Sequence, residues 1–232
     1  MEELRVCVLY TGGKDSCYAL HWTVLHGFEI GCLVTLEPPS WESLLFHYPG
    51  TRLVRLHAKA LGLKLVSGSV GGVGEETELK ALKNVLRRAV DVCGCEGVVS
   101  GALLSDYQRL RFAVIAEELG LRSYTPLWRV DQAEYMRSLV REGFKVLVLS
   151  VSAYGVPEDI VGRVLDGNDV ERIIQLARVY GFNPAFEGGE AETFVVDAPL
   201  FRYRIDVRGV RRKLTSYHVV YEIQDARLVP KD

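Results

Sequence analysis

Through the first half of the chain, four apolar runs alternate with stretches whose apolar residues recur at helical spacing. The runs are RVCVLY, IGCLVTL, LKLVSGSV and EGVVSGA. This alternation constrains the fold more than any other feature. Strand–helix–strand units pair their strands in parallel through right-handed crossovers, so the chain is predicted to be α/β with a doubly wound, mostly parallel sheet. The segment after the third run shows the helical period best. Leu79, Leu82, Leu86, Ala89 and Cys93 share one stripe, and Lys80, Lys83, Arg87 and Arg88 lie off it, a core face and a solvated face. Sheets of this kind take ligands beyond the carboxyl ends of their strands, so functional residues are sought in the loops that follow the apolar runs.

Near Thr125 the pattern changes. We expect a first domain over 1–125 and a smaller α+β domain over 126–232. The second half reads as an amphipathic helix near Gln132 to Arg141, a strand in KVLVLSVSAYGV, a short helical piece and a helix near Val170 to Tyr180. Strands follow in TFVVDAPLF, RYRIDVRGVRRKL and SYHVVYEIQDARLV, with a hairpin expected around Arg208 to Arg211.

Composition excludes several classes. With 232 residues, 48% hydrophobic and 25% charged, the chain can bury a sizeable core. A formal net charge of −2 gives no bulk attraction to nucleic acid, and none is expected as a partner. The apolar runs fall far short of the roughly 18 residues a membrane span needs, and the start lacks the basic and apolar stretches of a signal peptide. A cytoplasmic protein without membrane attachment is expected, with homo-oligomer formation left open. The five cysteines show no CxxC pair and no histidines at zinc spacing, so they are expected as reduced thiols. Cys7 and Cys32 fall in strand-like runs and are expected in the core, while Cys93 and Cys95 stay unassigned. The GSVGGVG stretch fails the GxGxxG spacing and is taken as a connection.

The densest chemistry follows the first run. Tyr10 leads into Thr11-Gly12-Gly13-Lys14-Asp15-Ser16 and then a helical stretch, which makes a strand, a glycine turn and a helix start. Glycines let backbone approach an anion closely, and amides at a helix start point toward it. Lys14 adds a full charge, Thr11 and Ser16 offer hydroxyls to phosphate oxygens, and Asp15 can cap the helix or hold a magnesium ion. The spacing is shorter than that of GxxxxGK[ST], so this is not a Walker A loop and γ-phosphate transfer is not favoured.

TGGKDS resembles the SGGKDS signature of the PP-loop ATP pyrophosphatase superfamily, with threonine keeping the hydroxyl of the first serine. Further residues narrow the resemblance: Ser100-Gly101-Ala102, then Ser105-Asp106-Tyr107-Gln108 with Arg111, Leu127-Trp128, and Glu187-Gly188-Gly189-Glu190 with Glu192-Thr193. Together they resemble the diphthine ammonia ligase family over nearly the whole chain. The resemblance implies a Rossmann-like PP-loop (HUP-type) first domain. It also implies ATP-dependent amidation of diphthine on translation elongation factor two. Ammonium is the nitrogen donor, the route passes through an acyl-adenylate, and the products are diphthamide, AMP and pyrophosphate. ATP with Mg2+ is the implied cofactor set. Phe186 stands where the family commonly has glycine, and Ala191 where an aromatic residue is usual.

On this reading Tyr10 through Ser16 and Ser100, Gly101 and Ala102 bind the nucleotide, with Asp15 at the metal. Lys14, Asp15, Glu187, Glu190 and Glu192 carry the chemistry. Glu190 and Glu192 would share a side if extended, and three carboxylates in so short a span call for a cation: magnesium, ammonium or the substrate's trimethylammonium. His47, Asp106, Tyr107, Gln108, Arg111, Trp128, Gly188, Gly189 and Thr193 are the substrate candidates, Asp106 also as a helix cap. Trp128, Tyr107 and Phe186 are the candidates for an aromatic cage. Two other readings remain at this point, a PP-loop enzyme acting on transfer RNA and a nucleotide-binding sensor without chemistry.

Overall fold

A computed structural model describes residues 4–37, 53–72 and 74–231. The chain divides into two compact units, Met1–Trp128 and Arg129–Asp232. The first holds β1 (Arg5–Leu9), α1 (Lys14–Leu25), β2 (Glu29–Glu37), α2 (Val54–Leu61), β3 (Leu65–Ser69), α3 (Glu75–Cys93), β4 (Gly97–Val99), α4 (Asp106–Glu118) and β5 (Arg122–Tyr124). Its strands lie in the order β3-β2-β1-β4-β5, and every adjacent pair is parallel. The doubly wound α/β expectation holds. The order reverses direction between β1 and β4, where open α/β sheets part their loops into a crevice.

The four apolar runs are β1 to β4. β5 escaped prediction because Arg122-Ser123-Tyr124 carries no apolar signal; it joins the sheet by backbone pairing to Gly97, Val98 and Val99. On α3 the stripe buries Leu82, Leu86, Ala89 and Cys93, joined by Val85, while Leu79 is only partly covered. All five cysteines are buried free thiols. Cys93 and Cys95 belong to the same core as Cys7 and Cys32, and the sulfurs of Cys32 and Cys95 stand 4.0 Å apart. These are packing positions, where small apolar side chains suit a crowded sheet.

The second unit holds α5 (Gln132–Arg141), β6 (Lys145–Val151), a single 3-10 turn (Glu158–Ile160), α6 (Gly167–Tyr180), β7 (Ala191–Asp197), β8 (Tyr203–Lys213) and β9 (Val219–Pro230). The strands form an antiparallel sheet in the order β7-β6-β9-β8. Asp131 starts α5 by accepting the Glu134 N–H at 2.8 Å. α6 begins earlier than its apolar period suggests, because Asp166 and Asp169 cap it reciprocally. Among the described residues no helix is long and apolar enough to cross a membrane.

The hairpin expectation needs correction. Arg208 and Arg211 lie inside β8, opposite Asp225 and Tyr221, and the chain reverses at Leu214 to His218, where the Leu214 N–H donates to the His218 carbonyl at 2.8 Å. Gly209 imitates a turn residue, but it marks a register shift in the strand. A Cβ there would stand 2.4 Å from the Glu222 carbonyl oxygen. Gly209→Ala is therefore expected to destabilise the chain by about 1–3 kcal/mol, the usual cost of overpacking. Urea unfolding followed by circular dichroism checks this, and an unchanged midpoint contradicts it.

Candidate active site

At the carboxyl end of β1 the chain bends through Thr11, Gly12 and Gly13 into α1. Gly12 has φ +84°, in the left-handed region that glycine tolerates best. Gly13 is the residue before the first turn and offers no side-chain cap, while Asp15 sits within that turn. A helix start of this kind presents its amides to an anion. Lys14 is buried, its ammonium 2.8 Å from an Asp15 carboxylate oxygen, and that pairing makes burial of the charge tolerable. Ser16 turns into the loop. Its hydroxyl accepts the Thr11 N–H at 3.2 Å and lies 3.2 Å from the Gly13 carbonyl and 3.3 Å from the Thr11 hydroxyl. Its first task is thus to hold the bend. The Tyr10 side chain is in the core, with its hydroxyl 2.9 Å from Nδ1 of His57 on α2. Burial pushes the Tyr10 phenol well above its ordinary range.

The loop after β4 meets this bend at the switch point. A Cβ on Gly101 would lie 2.6 Å from the Asp15 carbonyl carbon and 2.8 Å from the Ser16 nitrogen, so only glycine allows the two backbones this approach. Ser100 is buried beside it, and its hydroxyl has no hydrogen-bond partner among the described residues. A buried polar atom left without a partner at the crevice is what a ligand would satisfy. Ala102 is buried next in line. Gly101 thus stands directly against Asp15 and Ser16, with Ser100 and Ala102 on either side of it in the chain.

On α4 the cap is Ser105, whose hydroxyl accepts the Gln108 N–H at 3.2 Å; Asp106 sits in the first turn and pairs with Arg109 at 3.0 Å. The Arg111 guanidinium covers the Tyr107 ring at 3.4 Å and forms an ion pair with Glu75 on α3. That pair holds the Glu75 carboxyl below its usual range and raises Arg111 above its own, through the hydrogen bond first. Burial raises the Tyr107 phenol. Arg109 in turn covers Trp128 at 4.6 Å. Phe186 is buried in the second unit. His47 lies outside the described residues.

In the second unit, Glu187 to Glu190 form a turn ahead of β7. The Glu190 carboxylate folds back on it, one oxygen accepting the Asn183 N–H and the other the Gly188 N–H, both at 2.8 Å. The Gly189 carbonyl accepts the Ser152 hydroxyl at 2.7 Å. Glu192 lies inside β7 opposite Ser150, and buried Thr193 lies opposite Val148. Glu190 precedes the strand, so the two acids do not share an extended face. Ser152 and Glu75 were not singled out from sequence, because their partners are remote in the chain, and Asn183 was not because it meets Glu190 through its backbone N–H. Among the described residues no group of three His, Cys, Asp or Glu could hold a metal by itself.

Two family profiles, described as the diphthamide synthase N-terminal and C-terminal domains, match residues 4–123 and 131–229. The chain belongs to the diphthamide synthase family. It is 31% identical over 222 residues to a human protein named diphthine–ammonia ligase, covering 88% of this chain and 83% of that one. A zebrafish (Danio rerio) protein of the same name is 32% identical over 230 residues, covering 92% and 90%. A fission yeast (Schizosaccharomyces pombe) relative of that name is 32% identical over 220 residues but longer, so the match covers 36% of it.

The backbone at Phe186 has a structural cost. Its φ is +64°, the conformation glycine adopts freely and other residues at roughly 1–2 kcal/mol. Burial of the ring offsets that strain. A pH dependence follows from the α3–α4 ion pair. Glu75 is ionised and paired above the usual glutamate range, and the pair is lost only as pH falls through its depressed value. An NMR titration should find its midpoint below the ordinary glutamate range, and Arg111→Leu should bring it back up. A midpoint unmoved by that substitution contradicts the assignment.

Proposed function

We propose that the chain is an ATP-dependent ligase that amidates diphthine on translation elongation factor two with ammonium, through an acyl-adenylate. The observation that carries this reading is the bend at the switch point, where buried Lys14, the start of α1 and a Ser100 hydroxyl with no hydrogen-bond partner among the described residues lie at the carboxyl ends of β1 and β4. Membership of the diphthamide synthase family over both units supports it and favours it over the transfer-RNA and sensor readings.

A carboxylate resists ammonia because its charge is delocalised and oxide leaves badly. In the proposed sequence a substrate carboxylate oxygen attacks the α-phosphorus of ATP and pyrophosphate departs. Ammonia then attacks the acyl carbon and AMP leaves, with the extra proton passing to an acid–base group. Lys14 and the α1 amides stabilise charge on the phosphates, preorganised before the substrate arrives. Magnesium fits as an ion carried in by the nucleotide, with Asp15 as its protein carboxylate, since such ions are commonly held by one or two carboxylates plus phosphates. When bound it would neutralise phosphate charge. The turn at Glu187 and Glu190, with Glu192 beside it in β7, is the proposed ammonium site; Glu190 acts there chiefly by holding the turn.

Mass spectrometry of the elongation factor should show conversion of carboxylate to amide only when ATP and ammonium are both present. In Glu190→Gln, ATP–pyrophosphate exchange should persist while amide formation falls by about tenfold or more. Unchanged amidation in that variant removes the turn from the mechanism, and no amidation by the unaltered protein removes the proposed function.

A further inference from the structure

On the outer face of the first unit a groove of about 810 Å³ runs between α3 and α4. α4 is apolar on two sides. Phe112, Ile115 and Ala116 are buried in the core, and Leu110 and Val114, one turn apart on the other side, are 50% and 53% exposed. A helix that is apolar on both sides is ordinarily covered on both. Leu79 of α3, only partly buried by the core, lines the same groove. Scattered exposed apolar residues need no explanation, but these three share one concave surface.

The charges around the groove show a register. Two ion pairs join the helices, Glu75 with Arg111 and, further along, Lys83 with Glu118 at 2.7 Å. The helices therefore run side by side in the same direction, as crossovers on one parallel sheet do. Lys80 on α3 and Glu117 on α4 are exposed, and neither side chain has an ion-pair or hydrogen-bond partner among the described residues. Lys80 comes three residues before Lys83, and Glu117 one before Glu118. At about 1.5 Å per residue they stand within about 3 Å of the same height along the groove.

A two-fold axis running along the groove would satisfy both charges. It lays α3 of one copy over α4 of the other without changing height, so Lys80 of each copy meets Glu117 of the other. Glu76, another unpaired acid on the groove, comes one residue after Glu75 and so stands level with Arg111 of the other copy. The same axis seats Leu110 and Val114 of each copy against the other's α3, where Leu79 and the stems of Lys80 and Lys83 cover them. Acids and bases are mixed over this face, which suits neither a lipid surface nor a nucleic acid, whose charge has one sign. A surface complementary to itself in charge and apolar content fits a second copy of the chain.

We propose that the α3–α4 face is a two-fold dimer interface, centred on Leu110 and Val114 and flanked by Lys80–Glu117 pairs between copies. It does not depend on the ligase reading.

Sedimentation velocity of the full chain over a concentration series tests this. The unaltered chain should sediment as a dimer, and Val114→Asp as a monomer with an unchanged circular dichroism spectrum. Lys80→Glu and Glu117→Lys should each weaken the dimer about tenfold or more by setting like charges opposite each other. The double variant, with the two charges exchanged, should recover to within about threefold of the unaltered chain. A monomer at roughly 100 μM overturns the interface, as does a dimer that Val114→Asp leaves intact, which places the contact on another face. Single charge variants as tight as the unaltered chain, or a double variant no tighter than the singles, overturn the pairing on which the axis rests.

Discussion

The close approach of two backbones at the switch point is the constraint on which the rest depends. Gly101 lets the end of β4 come against Asp15 and Ser16, and this fixes the start of α1 relative to the sheet. Within that contact a lysine ammonium is buried against the Asp15 carboxylate. Such a pair gains little for stability by itself, because removing two charges from water costs about what their attraction returns. On the proposed function it provides a cation held in place before an anionic ligand arrives, beside the start of a helix. Rigid polar groups that need no reorganisation are the usual source of electrostatic catalysis. The doubly wound sheet thus serves to hold one short loop still.

The second unit works by different means. Its acidic turn is organised by hydrogen bonds in which backbone amides meet the Glu190 carboxylate and Ser152 meets the Gly189 carbonyl. A carboxylate used in this way shapes the turn. Phe186 shows how much the turn demands, since it holds a left-handed backbone that glycine would adopt without strain.

Sequence alone made the strands of the first unit and its central loop legible, because apolar runs record burial and TGGKDS concentrates charge, hydroxyls and glycine at one bend. It missed β5, whose Arg122-Ser123-Tyr124 joins the sheet through backbone bonds that side chains do not announce. Gly209 misled for a related reason: a glycine needed for close strand contact looks like one needed for a turn. The roles of individual site residues were the least legible. Ser16 turns inward, Tyr10 is taken by His57, and Arg111 is taken by Glu75. The match between Lys80 and Glu117 depends on how α3 and α4 lie side by side, and no spacing rule within either helix announces it.

The central claim is that this bend grips a triphosphate so that the bond between its inner phosphates is the one that breaks. The most direct measurement is phosphorus NMR of the complete reaction, with modified elongation factor, ammonium and ATP, run on the unaltered chain and on Lys14→Ala. The account predicts AMP and pyrophosphate in step with amide, and loss of both products in the variant. Release of ADP and inorganic phosphate, or turnover indifferent to Lys14, would contradict it.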